Sequence, residues 1–351
     1  MKTLPLLAAL AAIAWLEPAR ILASPIQVYG LWHCGCDFCA WATIRDMADF
    51  DGKNHWIIDR GDGSPSVNLV VLSFVNPVKL LNLANDAGTT DGIPKGITAE
   101  IVEYFTRRKI RVMLSIGGLS YTKDWDQALT ENPDQLGTNA ARAAERLGVG
   151  TEIDYENDRN PNLSGLQRFI TAYRSVLPYD GAAINPAARL TLDLAPGDEY
   201  LVPLTRYATS NWLTVAHPVL DYANAMVPLH PASASDLEKD WEEHVQGRPP
   251  IAPLAPAKLT GSLYTGARKH VLPECNDWSR SLEKATGSFL QTVKPQGAGV
   301  TEGMLGYMFW AAECSLSKAA CTVPPNACQG GIGVGAKVYN IPLPMGPLRQ
   351  D

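Results

Sequence analysis

Gly148-Val149-Gly150-Thr151-Glu152-Ile153-Asp154-Tyr155-Glu156 reads as one β-strand with acids at alternate positions. Side chains on a strand alternate between faces, so residues two apart share a side. Glu152, Asp154 and Glu156 therefore line one face, and Ile153 and Tyr155 face the other way. Three carboxylates on one buried strand repel one another when ionised. Repulsion and burial together raise at least one pKa and can hold one acid protonated near neutral pH. A protonated acid beside an ionised one is what cleavage of a glycosidic bond requires. The alternative is an edge strand whose acids stand in solvent. The remainder of the chain decides between the two.

The chain has 351 residues, enough for one large domain or two ordinary ones. A hydrophobic fraction of 46% with 19% charged residues describes a globular protein with a sizeable core. The formal net charge is -6 and no basic stretch is long, which sets nucleic acid aside as a partner. Residues 1–23 read as a secretory signal: Lys2 is the positive end, residues 4–16 are apolar but too short to span a bilayer, and Ile21-Leu22-Ala23 offers a cleavage site. No later run has the uninterrupted apolar length of a membrane span, so a secreted protein with no membrane partner is expected. Cysteine usage agrees. Cys34, Cys36 and Cys39 cluster early, and Cys275, Cys314, Cys321 and Cys328 come late. Their spacing does not fit the common zinc patterns, and disulfides are expected in an exported chain. Seven is odd, so at least one thiol is free or pairs with another chain. Asn162-Leu163-Ser164 is a glycosylation sequon.

Eight short apolar, β-branched runs recur along the chain, at 26–32, 68–74, 110–116, 149–155, 189–195, 219–226, 258–264 and 304–310. Between them, residues 99–105, 139–147 and 163–176 carry helical periodicity. Strands alternating with helices predict parallel strands joined by crossovers, and eight such units predict a (β/α)8 TIM barrel. An open doubly wound sheet would carry a Gly-rich nucleotide turn after an early strand; His33-Cys34-Gly35-Cys36 follows instead. The Pro-rich run 248–256 is too short to divide the chain. The barrel is therefore expected to occupy residues 24–311 as a single domain. Residues 312–351 form a Cys-, Gly- and Pro-rich extension packed on it. Active sites of such barrels lie at the C-terminal ends of the strands, where Glu156 falls on the fourth strand, with Asp154 one inward position earlier.

These residues resemble glycoside hydrolase family 18, the chitinases and endo-β-N-acetylglucosaminidases. Leu114-Ser115-Ile116-Gly117-Gly118 is similar to that family's third-strand Ser-x-Gly-Gly. Residues 149–156 are similar to its fourth-strand Asp-Gly-x-Asp-x-Asp-x-Glu. Tyr222-Ala223-Asn224-Ala225-Met226 and Tyr307-Met308-Phe309-Trp310 are weaker matches to its sixth and eighth strands. The resemblance implies hydrolysis of β-1,4 bonds in chitin or N-acetylglucosamine oligosaccharides. Glu156 would be the general acid and Asp154 would orient the substrate's acetamido group, whose own oxygen attacks the anomeric carbon. It implies no metal and no cofactor. Trp310 would form an aromatic floor under the sugar. Substrate contacts are expected from Glu152, Met226, Tyr264, Asp193 and Asn224, and a monomer is expected.

The chain departs from the family pattern in three places. Val149 replaces the first acid of the fourth-strand motif, and Glu152 replaces its middle Asp. Met226 is followed by Val227-Pro228-Leu229, so the sixth-strand tyrosine that would hold the acetamido group is missing. Losing one hydrogen bond to a group that develops charge costs on the order of 10² to 10³ in rate. Tyr264, at the end of the seventh strand, is the expected substitute, and Asp193 a further polar contact. Two rivals follow: a chitin-oligosaccharide-binding protein without turnover, and an endo-β-N-acetylglucosaminidase acting on N-glycans. Residues 265–303 are too few for the α+β subdomain inserted in deep-cleft relatives, which predicts a shallow, open groove.

Overall fold

The computed structural model describes residues 27–33, 41, 46–197, 200–226, 234–264, 304–310 and 343–350, with backbone alone for 234–238 and 263–264. Eight parallel strands close a barrel: β1 Val28–His33, β2 Leu69–Val75, β3 Arg111–Gly117, β4 Gly150–Asp154, β5 Leu190–Leu194, β6 Ala223–Ala225, β7 Leu259–Tyr264 and β8 Gly306–Trp310. Each pairs with its neighbours in sequence, and β8 returns to β1 through Val28 opposite Gly306 and Leu31 opposite Phe309. Each of the eight apolar runs overlaps one of these strands; β1, β2 and β3 each continue one residue past their run. β4 is paired on both sides, Ser115 opposite Glu152 on β3 and Glu152 opposite Thr191 on β5. An edge strand with solvated acids is thereby excluded.

The alternation that orders the acids orders the core as well. Tyr29, Leu31, Val70, Leu72, Ile153, Leu192 and Phe309 point outward into the main apolar cluster beneath the helices. Val28, Trp32, Leu69, Val71, Met113 and Met308 form a second cluster inside the barrel. Burial on both faces explains why the runs read as continuously apolar. β6 is shorter than its run, because Val219 and Leu220 donate their N–H groups to Trp212 O and not to a neighbouring strand.

The helices are α1 Met47–Ile58, α2 Pro77–Leu81, α3 Ala99–Thr106, α4 Thr122–Glu131, α5 Pro133–Leu147, α6 Leu163–Val176, α7 Val202–Asn211 and α8 Ala234–Gln246. Their ends follow local chemistry. Asn132 Oδ1 accepts from Gln135 N before Pro133 opens α5, and Gly148 closes it at φ 67°. That left-handed turn feeds directly into β4. Asn162 Oδ1 accepts from Gly165 N and caps α6. No helix among the described residues is long and apolar enough to cross a membrane.

Residues 343–350 cross the N-terminal end of the barrel. Asn68 Nδ2 donates to Pro344 O, Gly346 N to Lys109 O, and Gln350 N to Gly181 O. Leu348 is buried with the inner cluster. All seven cysteines, residues 1–26 and the segment 265–303 lie outside the described residues. So do the expected disulfides, the expected signal sequence and the segment on which the expectation of a shallow groove rests.

Candidate active site

The site begins at the junction of β3 and β4. Gly117 has φ +117° and Gly118 φ +90°, a region L side chains rarely adopt. A Cβ at Gly117 would lie 1.9 Å from Asp154 O. The two glycines let the end of β3 close on β4: Gly118 N donates to Asp154 O at 3.0 Å, and Trp125 Nε1 on α4 donates to the same oxygen at 2.9 Å. The carbonyl of Asp154 is thus held from two sides while its side chain points into the barrel. Leu119, next along the same turn, gives its backbone N–H to the Glu156 carboxyl.

Glu152 is the lowest acid and fully buried. Trp32 Nε1 of β1 donates to Oε1 at 2.8 Å, and Asn224 Nδ2 of β6 donates to Oε2 at 2.7 Å. Asn224 Oδ1 in turn accepts from Thr260 Oγ1 of β7 at 2.7 Å. The longer side chain at this position is what lets one carboxylate bridge from β4 to β1 and β6. Asp193 lies in register with Asn224 and shares a hydrogen bond with Glu152 that favours the proton on Asp193. Burial, and then the charge of Glu152, push Asp193 well above the usual carboxylate range.

Asp154 stands one inward position above. Burial pushes its carboxyl well up, and the neighbouring Glu156 and Glu152 add to this. Its Oδ1 is buried without a hydrogen-bond partner among the described residues, as are Asp193 Oδ1 and Thr191 Oγ1. Orphaned buried polar atoms are rare and mark unspent hydrogen-bonding capacity. Glu156, beyond the end of β4 and partly exposed, is pushed up to about 7, chiefly by burial. The four acids are near enough to titrate as a set. At neutral pH this arrangement can present a protonated carboxyl at the barrel mouth above a caged polar layer.

Trp310 ends β8, half-buried, its ring 6.4 Å from Trp32 and 5.8 Å from Phe74. The three rings make an apolar wall beside the carboxylates. Met226 lies just beyond β6, half-buried against the main core, with its N–H on Leu194 O. The backbone of Tyr264 pairs with Trp310, and its side chain lies outside the described residues. Of the residues expected at the site, Glu152, Asp154, Glu156, Asp193 and Asn224 come together. Trp310 borders them, and Met226 packs with the core.

Sequence reading missed Trp32 and Thr260, whose partners lie on distant segments. Alternation along β1 marks Trp32 as inward, but barrel shear decides what it meets. It also missed Tyr200, which precedes α7. The Tyr200 hydroxyl donates to Glu156 O at 3.3 Å, and the charges of Glu156, Asp158 and Asp154 help burial push the phenol to about 12. The turn before α7 is pinned by Leu201 N on Asp158 Oδ1 at 2.8 Å.

A closed parallel barrel with a row of inward acids on its fourth strand defines the class: a (β/α)8 protein with a carboxylate site at the C-terminal strand ends. Its fold is that of solved family 18 chitinases. A GH18 chitinase from Pseudoalteromonas aurantia aligns at a TM-score of 0.53 and 14% identity, covering 80% of this chain and 93% of that one. A class V chitinase from Nicotiana tobaccum aligns at 0.51 and 13% identity, covering 89% and 98%. No protein-family model and no curated protein matches the sequence. The likeness in structure establishes the expected barrel.

Proposed function

We propose that this chain is a secreted, monomeric hydrolase of β-1,4-linked N-acetylglucosamine polymers or oligosaccharides, acting by substrate-assisted retention. The observation that carries the reading is Glu156: a carboxyl at the C-terminal end of β4, pushed up to about 7, directly above the buried Asp154. Glu156 gives its proton to the glycosidic oxygen as the bond to the anomeric carbon breaks. The acetamido oxygen of the same sugar closes on that carbon, and Asp154 accepts the amide N–H as positive charge develops there. Water, deprotonated by Glu156, then opens the cyclic intermediate and restores the starting configuration. Trp310 supplies a flat face for the sugar ring. Glu152 remains below as the acceptor around which the polar layer is arranged, with burial pushing its own carboxyl upward.

The test is product release from N-acetylglucosamine tetramer to hexamer by wild type and Glu156→Gln, with binding of the same oligomers followed in parallel. Turnover in wild type that is lost in the variant while binding persists is the expected result. Binding by both with product from neither would make the chain a saccharide-binding protein. Cleavage confined to a glycoprotein core would make it an endo-β-N-acetylglucosaminidase.

A further inference from the structure

Helix α4 grips the acidic strand at successive residues and leaves Glu156 between two of its holds. Trp125 Nε1 takes Asp154 O. Asp126, the next residue, accepts from the hydroxyl of Tyr155 and, through both its oxygens, from Asn157 Nδ2 at 2.9 and 3.0 Å. Tyr155 and Asn157 are the two neighbours of Glu156. The Tyr155 ring is buried, 5.7 Å from Trp125, and its hydroxyl accepts from Asn162 N at 2.9 Å. One phenol therefore joins α4, the end of β4 and the start of α6.

These bonds matter because the β-ladder stops short of the site. β4 ends at Asp154, and residues 155–157 have no strand pairing. Leu119 N–H holds the Glu156 carboxyl and Tyr200 O–H its carbonyl, and side-chain bonds to the two flanking residues anchor the backbone on either side. We propose that Asp126 is a positioning residue for Glu156: its carboxylate fixes the backbone on both sides of the acid and so aims the acid's carboxyl into the barrel mouth. The inference deepens the hydrolase reading and rests on it. Asp126 touches no reacting atom in this account.

Asp126→Asn tests it. The amide keeps the shape but turns one acceptor oxygen into a donor, which then faces Tyr155 O–H or Asn157 N–H. A misplacement of about 1 Å costs up to about 10² in rate. The expected result with N-acetylglucosamine hexamer is a kcat lowered by about 10²-fold, with KM within about threefold of wild type. Tyr155→Phe, which removes one donor, should fall between, and the double variant should lose less than the product of the two single losses. A second readout does not need turnover: the carboxyl carbon resonance of Glu156, assigned by its absence in Glu156→Gln. In Asp126→Asn its titration midpoint should move down from about 7 toward the ordinary glutamate range, as the unpinned carboxyl reaches water. The groups facing it, Asp154 and Glu152 from β4, Asp193 from β5, and Asp158 and Tyr200 at the rim, are unchanged in the variant. Should Asp126→Asn not fold, Asn157→Ala poses the same question. Wild-type kcat together with a wild-type Glu156 titration would overturn the proposal. So would a lost kcat with the titration unmoved. A wild-type protein without turnover, in which the titration still moves as described, would overturn the hydrolase reading and leave Asp126 in its role.

Discussion

Glu152 shows what a single methylene does in a closed barrel. Its two oxygens reach Trp32 on one side and Asn224 on the other, and with Thr260 these groups tie four strands together. A buried carboxylate is tolerable only when donors surround it. Truncation would leave the Trp32 and Asn224 N–H groups unpaired in the interior, at a cost of one to three kcal/mol for each orphaned group. Glu152→Ala should therefore lower unfolding stability by about 3 kcal/mol, read from denaturant melts. An unchanged midpoint would mean the cage is not stabilising. At this scale the sequence was legible wherever alternation alone decides, which is how Glu152, Asp154 and Asp193 were placed inside, while Asn224 came only from the sixth-strand resemblance. Partners across the barrel were not legible. Which residue Trp32 meets depends on strand stagger, and Tyr200 reaches Glu156 from a turn that carries no periodic signal.

The elements that aim the site do so from their ends. Gly117 ends β3 where only glycine admits Asp154 O, Gly118 follows at φ +90° against the Phe74 ring, and Gly148 turns α5 into β4. Asn162 both caps α6 and gives its own N–H to Tyr155, so the start of that helix is tied to the loop bearing Glu156. Asn162→Ala loses the cap, and stability should fall by about 1 kcal/mol in a thermal or urea melt. An effect near zero would show that the turn, not the cap, holds α6. The strand runs and helix α6 were readable because periodicity and caps agree there. The beginning of α5 was read six residues late. Asn132-Pro133 is a start signal, but the polar first turn of that helix hid its apolar stripe.

Across the whole molecule the two ends of the barrel divide the work. The C-terminal end holds acids with raised pKa values and orphaned oxygens. The N-terminal end holds a satisfied ion network, in which Asp221 pairs with Arg174 and Arg189 and its carbonyl accepts from Lys258 Nζ. Arg189 also bonds to Leu348 O and Gln350, so the network holds residues 343–350 in place. Breaking one partner of a buried pair costs about 3–5 kcal/mol. Asp221→Ala should lose stability on that scale while leaving the kcat of the folded protein unchanged, because the network is remote from the carboxylates. A selective fall in kcat without loss of stability would contradict that division. The barrel itself was legible from eight buried runs. This network was not, because its members come from the end of helix α6, from three separate connecting segments and from residues 343–350, and nothing in their spacing announces it.

In the proposed reaction Glu156 is the acid that protonates the leaving group, and the pH dependence of kcat/KM for N-acetylglucosamine hexamer reads its protonation state. A general acid must carry its proton, and burial pushes Glu156 up to about 7. Activity should therefore persist below that value and fall as pH rises through it, with the falling limb and the turnover both absent in Glu156→Gln. A wild-type profile that stays flat well above pH 7, or a Glu156→Gln variant that hydrolyses at the wild-type rate, would rule Glu156 out as the acid.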